Sequence, residues 1–296
     1  MNSRVGFVAL LLTGLIYGSF GIFIRFISVG LGIDQQIFAR NLIAFIIAFA
    51  IIIVSKRDWR FKKYTKDLVL FAISFQIAAI AYTYGVLQAK IAIVTLGLYS
   101  GSLITSLILG TFIFHEKISR VKITSLLLTL LGLVALSWPI SIHSVNMGLA
   151  LGILSGATEG IANGFRKSFS GKVDRIVVVA IQVFGGVLIG FGFMAFSNQL
   201  SIPVLAPFTI GMIIILGILL VATSYLIILG FQNFDLNLGT IVMSTELVFA
   251  PVLAILFFRE IPTLYEIIGG ICIIIAVIIP NISFSNRKRK KSKIMV

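Results

Sequence analysis

The chain has 296 residues, 59% of them hydrophobic and only 11% charged, with a mean hydropathy of +1.12. A water-soluble domain is excluded, because such domains carry about 25% charged residues. The formal net charge of +14 does not point to a nucleic-acid partner, since the cations sit in the segments that separate long apolar runs.

A membrane-spanning helix needs about 20 mostly apolar residues. In chain order the runs of that kind are 5–26, 36–54, 68–88, 91–114, 121–138, 147–167, 176–196, 208–230, 238–258 and 264–281. The first is longer than a signal-peptide core, lacks a small-residue cleavage site and leads straight into another span, so it reads as a retained span. Cys272, the single cysteine, lies in the last run, which rules out an intrachain disulfide. The reading is an all-α polytopic membrane protein with ten transmembrane helices.

The loops set an orientation. With the N-terminus in the cytoplasm, only Arg25, Arg40, Lys90 and Arg259 of the 24 Lys and Arg residues fall toward the outside. Cytoplasmic loops collect Lys and Arg, so both termini are expected inside, in a cell membrane. The tail after residue 284, with "RKRKKSK", reads as a cytoplasmic segment drawn to the anionic inner leaflet.

The chain also repeats. "GLIYGSFGIFIR" (14–25) aligns with "GILSGATEGIAN" (152–163), and "SLITSLILGTFIFHEKIS" (102–119) aligns with "ELVFAPVLAILFFREIPT" (246–263). The offset is five spans, an odd number, so the second copy enters the membrane from the opposite side. Residues 1–140 and 141–284 are thus expected to form two inverted five-helix repeats around a central cavity, with Glu116 ending one side and Glu260 the other. Inverted repeats are a recurrent device of secondary transporters, which expose one midplane site to alternate sides.

With "YGS" and "SGA" in the first helix of each half, "ARNLIAF" opening the second, and the endings "FHEKIS" and "FREIPT", the chain resembles the ten-helix, EamA-domain members of the drug/metabolite transporter superfamily. The resemblance runs over residues 5 to 281 and implies movement of small metabolites without fixing which. Leu247 stands where the family's glutamate-proline pair has its proline, and Pro251 comes four residues later, so the position of the kink in that helix stays open.

Polar residues in the apolar runs mark the candidate site. Gly152, Gly156, Glu159, Asn163 and Arg166 share one helix face, and Gly14, Gly18, Gly21 and Arg25 repeat the spacing in the first span. Gly14, Gly18, Gly152 and Gly156 are expected at close helix contacts. Glu159 and Glu246 lie near the middle of their spans, where a carboxylate is costly and normally faces a cavity or a partner. Both are candidates for binding substrate and for carrying a proton. Thr95, Tyr99, Ser102 and Ser106 form a further polar face, with Ser102 the repeat equivalent of Glu246. Gln76, Tyr82, Thr83, Tyr84, Ser224 and Tyr225 add to the candidates. Arg25, with no other cation around it, is expected to receive a substrate carboxylate. Arg166, next to Lys167, is expected to snorkel to the inner surface, and Arg40 reads equally as an interfacial anchor or a helix-packing residue.

His115 and His143 form no ligand spacing, so no metal site or enzyme chemistry is expected, and no cofactor. No G-x-x-x-x-G-K-[ST] phosphate loop is present, which leaves transport to run on gradients. A repeated pore ring of a channel is lacking. The leading expectation is a gradient-driven carrier, exporting small metabolites with amino acids the first class, embedded in the bilayer, as a monomer or homodimer. A membrane scaffold or lipid-handling protein of the same fold is the alternative.

Overall fold

The computed structural model describes residues 3–57, 61–89, 91–136, 138, 142–169, 171–201, 203–258, 263–265 and 267–279. The chain is all-α. Its helices are α1 (Ser3–Ser28), α2 (Ile33–Val54), α3 (Thr65–Gln88, preceded by a 3-10 turn at Lys62–Tyr64), α4 (Ile91–Phe112) and α5 (Arg120–Leu136). They continue as α6 (Ile142–Ser168), α7 (Arg175–Phe196), α8 (Pro207–Asn233), α9 (Leu236–Met243), α10 (Glu246–Phe258) and α11 (Ile267–Ile279).

Among the described residues six helices are long and apolar enough to cross a membrane: α1 to α4, α7 and α8. At 27 residues α6 has the length, but its glycines with Glu159, Asn163 and Arg166 dilute its hydropathy. The outer surface carries many exposed apolar side chains, including Leu12, Ile46, Phe49, Ile104, Leu188, Phe191 and Ile214. A surface this apolar is unsuited to water and fits the hydrocarbon of a bilayer.

The ninth apolar run is not one helix. It is interrupted at Ser244–Thr245, ahead of Pro251, where the sequence had left the kink open. Thr245 N–H donates to the Val242 carbonyl (3.2 Å), Leu247 N–H to Ser244 (3.0 Å) and Val248 N–H to Thr245 (2.9 Å), so the link is a tight turn with three-residue spacing. Leu247 N–H would bond the Met243 carbonyl in an unbroken helix. Its diversion frees that carbonyl.

Helix packing follows an exchange rule. α1 packs on α8 as α6 packs on α3; α1 meets α9 and α10 as α6 meets α4; α2 meets α8 as α7 meets α3; and α2 and α7 pack on each other. The α4–α6 seam is backbone against backbone. A Cβ on Gly152 would lie 2.3 Å from the Val94 carbonyl oxygen, and one on Gly156 only 1.9 Å from that of Leu98. Gly14 gives α1 the same freedom against the broken helix, with Thr245 Oγ1 2.6 Å and Glu246 N 3.2 Å from where its Cβ would be. Gly18 is buried on the same face.

At the end of α4 the chain closes with a buried acid. Glu116 accepts from the backbone N–H of Leu236 (2.6 Å) and Asn237 (3.3 Å), capping α9. Lys167 Nζ lies 2.6 Å and Lys122 Nζ 3.4 Å from its carboxylate, and Lys122 also meets Asp235 at 2.9 Å. A carboxylate at a helix N-terminus is favoured by the partial positive charge of the free N–H groups. Its expected counterpart Glu260 lies outside the described residues, as does Arg259.

Candidate functional site

A cavity of about 880 Å³ of atom-free space, counting where it opens outward, lies between α1, α2, α3, α4, α6, α8 and the α9–α10 link. Its walls are largely apolar and aromatic: Tyr17, Phe20, Phe75, Tyr82, Tyr99, Leu98, Leu216, Leu220 and Met243. Polar groups enter at a few places, the usual build of a small-molecule site.

Of the sequence candidates, Gln76, Tyr82, Tyr99, Ser102, Glu159 and Glu246 line this cavity, as do Thr83 and Ser155. Asn163, Arg25 and Tyr225 do not. Asn163 is buried behind the wall, bonded to Arg166. Tyr225 is half-buried and accepts from Arg175 Nη1 (3.3 Å), whose guanidinium lies 5.8 Å from its ring. Arg25 is exposed, although its charge reaches Tyr82. Tyr84 donates to Asp34 (2.9 Å), and Ser106 shares a hydrogen bond with Thr240 (2.8 Å).

Arg166 corrects the sequence reading. It does not snorkel: it is fully buried. The seven-residue spacing to Glu159 puts both on one face of α6, and Nη1 donates to Glu159 Oε1 (2.7 Å) and to Asn163 Oδ1. Nη2 reaches Gln182 Oε1 (3.4 Å), and the guanidinium packs over Phe75 (5.0 Å) and Phe71 (5.4 Å). Two aromatic rings from α3 and a glutamine from α7 therefore cover the cation that the neighbouring Lys167 made look superficial. Gln182 ties the network onward, its Nε2 donating to Ser224 Oγ (2.8 Å) while its carbonyl accepts from Gln76 Nε2 (2.8 Å).

Glu246 is placed differently. It opens α10 directly after the break, and among the described residues it makes no ion pair. Its carboxyl meets the Tyr99 hydroxyl, which also lies 3.0 Å from the freed Met243 carbonyl. Tyr17, Tyr82 and Glu159 are close enough to act on it electrostatically.

Sequence reasoning missed several residues of the lining, Tyr17 and Arg40 among them. Tyr17 sits one turn from Gly14 and Gly21, and its place beside the glycines of the first span was the available signal. Arg40 lines the cavity, is 6% exposed and donates from Nη2 to Thr83 Oγ1 (3.2 Å).

Comparison with known proteins agrees with this architecture. Residues 146–282 match the model of the EamA-like transporter family. That stretch is similar to an EamA-like domain, and the protein is an all-helical polytopic membrane protein. A protein of known crystal structure superposes with a TM-score of 0.78 at 15% identity, over 94% of this chain and 96% of its own. At that identity the likeness is one of fold. No curated protein sequence matches significantly.

Proposed function

We propose that the protein is a gradient-driven carrier that exports small metabolites by alternating access at the central cavity, with Glu246 its proton-bearing group and amino acids the leading substrate class. The single observation that carries the proton role is the position of the Tyr99 hydroxyl between two acceptors, the Met243 carbonyl and the Glu246 carboxyl. A phenol has one hydrogen to give. When Glu246 is neutral it donates to Tyr99, and Tyr99 donates to Met243, so every group is satisfied. When Glu246 is ionised the phenol turns to the carboxylate, and the carbonyl freed by the helix break loses its partner. Proton loss is thereby linked to the α9–α10 turn, an interruption in the cavity wall.

The exchange rule in helix packing supports two inverted repeats over 1–140 and 141–284, since the principal contacts of α1 and α2 have their counterparts in those of α6 and α7. Two such halves can pack in two equivalent ways, which is the geometric basis of alternating access. The excess of Lys and Arg in alternate loops supports a plasma-membrane orientation with both termini in the cytoplasm.

The test uses purified protein in liposomes loaded with a pH-sensitive dye, with amino acids added outside. Solute-dependent, saturable proton movement is expected for the native protein and none for Glu246→Gln. Unchanged proton movement in that variant removes Glu246 from the coupling. The absence of saturable flux for any solute favours the scaffold alternative.

A further inference from the structure

Arg40 is a buried cation whose obvious partners are all occupied. Among the described residues it makes no ion pair, and its one hydrogen bond goes to Thr83. Asp34, on the same helix, accepts from Tyr84 (2.9 Å) and Ser197 (2.9 Å) instead. Glu159 is held by Arg166 and Glu246 by Tyr99. A guanidinium offers five N–H donors in a rigid fork, and leaving it buried without a counter-charge costs several kcal/mol. The space beside it is the cavity, which it lines together with Asn41, Gln76 and Thr83.

We propose that Arg40, oriented by Thr83, is the anion subsite of the cavity and binds the carboxylate of the transported solute. This moves the carboxylate-binding role from exposed Arg25 to a residue that lines the cavity, and it rests on the carrier reading of that cavity. A carboxylate matches the guanidinium fork with two parallel hydrogen bonds, which lysine does not reproduce. A single negative charge balances Arg40. A phosphate dianion would add a second negative charge to a cavity that already holds Glu159 and Glu246. The tyrosine and phenylalanine walls fit a solute whose carboxylate is attached to an apolar or aromatic body.

Two measurements on the purified protein in lipid nanodiscs test the subsite. The first is thermal unfolding without added solute, comparing the native protein with Arg40→Met. A cation held for a ligand is a liability when the ligand is absent, so the variant is expected to melt no lower than the native protein. A clear fall in its melting temperature assigns Arg40 to packing and overturns the proposal. The second is binding of three probes that share one body: phenylalanine, 3-phenylpropionate and 3-phenylpropionamide. The two carboxylates are expected to bind the native protein more tightly than the amide. Arg40→Lys should weaken them at least tenfold, about 1.4 kcal/mol, and Arg40→Met should erase the difference between acid and amide. Equal binding of acid and amide by the native protein, or no binding of either carboxylate, overturns the subsite. Arg40-dependent carboxylate binding without flux in liposomes would leave the subsite standing and remove the carrier reading instead.

Discussion

Two carboxylates face one cavity, and their surroundings assign them opposite tasks. Glu159 lies on a continuous helix, and Arg166 on the same face neutralises it while Asn163, Gln182, Phe71 and Phe75 hold the arginine in place. Glu246 begins a helix after a break, makes no ion pair among the described residues, and meets a phenol that also serves a backbone carbonyl. A charge paired with a buried counter-charge is fixed because releasing it leaves its partner buried and alone. A carboxyl whose hydrogen-bond partner can turn between two acceptors strands no buried cation when it gains or loses a proton. The difference is one of partners and not of depth, since both residues are 8% exposed.

The comparison is broken most forcefully at the ion pair. Glu159→Gln strands the Arg166 guanidinium in a fully buried site, and removing one member of a buried pair costs about 3–5 kcal/mol. Arg166→Met does the same to the acid. The double variant Glu159→Gln/Arg166→Met removes both charges and is expected to be far less destabilised than either single one. Glu246→Gln should stay within about 1 kcal/mol of the native protein, because no opposite charge is left behind. Denaturant unfolding in detergent, followed by circular dichroism, checks the set. Equal losses for Glu159→Gln and Glu246→Gln would show that the two acids are structurally alike.

Much of this contrast was legible in the sequence, but only one side of it. Glu159 and Glu246 stand out as carboxylates in apolar runs, and the spacing of 159, 163 and 166 already placed three polar side chains on one face. What one helix cannot reveal is the cover supplied by others. Phe71, Phe75 and Gln182 come from α3 and α7, so Arg166 looked like the first cation of a basic loop. Arg40 was ambiguous for the same reason: a missing counter-charge is a property of the whole assembly, not of "ARN". The break before Glu246 escaped notice because Ser244 and Thr245 lack the usual signature of Pro or Gly, and Pro251 drew attention away from them.

A smaller effect is expected at the seam that sets the distance between the two acids. Gly156 lies one turn before Glu159 and presses on Leu98, the neighbour of Tyr99. A Cβ there would meet the Leu98 carbonyl oxygen at 1.9 Å, and backbone on both sides leaves no flexible group to yield. Gly156→Ala is expected to cost about 1–3 kcal/mol by overpacking and to separate α6 from α4. Gly192→Ala, whose Cβ would meet nothing within 4 Å, serves as the control and should change stability by no more than about 0.5 kcal/mol. If Gly156→Ala lowers stability no more than Gly192→Ala does, the seam is looser than the structure shows.

The smallest perturbation separates the proton site from its accessory. Tyr99→Phe keeps the ring among its aromatic and aliphatic neighbours and removes only the hydroxyl. Both acceptors then lose their shared donor: the Met243 carbonyl, already without its helical partner, and the Glu246 carboxyl. One lost hydrogen bond is worth about 1 kcal/mol, roughly fivefold in a rate or equilibrium constant. If Glu246 carries the proton as proposed, solute-dependent proton movement in liposomes should persist in Tyr99→Phe at a rate reduced about fivefold, whereas Glu246→Gln should abolish it. The two variants thus differ in kind as well as in size. Should Tyr99→Phe abolish proton movement as completely as Glu246→Gln, the phenol and the acid act as one indivisible unit, and Glu246 alone does not carry the proton. Should it leave the rate unchanged, the hydroxyl between the two acceptors has no part in coupling, and the link from the carboxyl to the helix break fails with it.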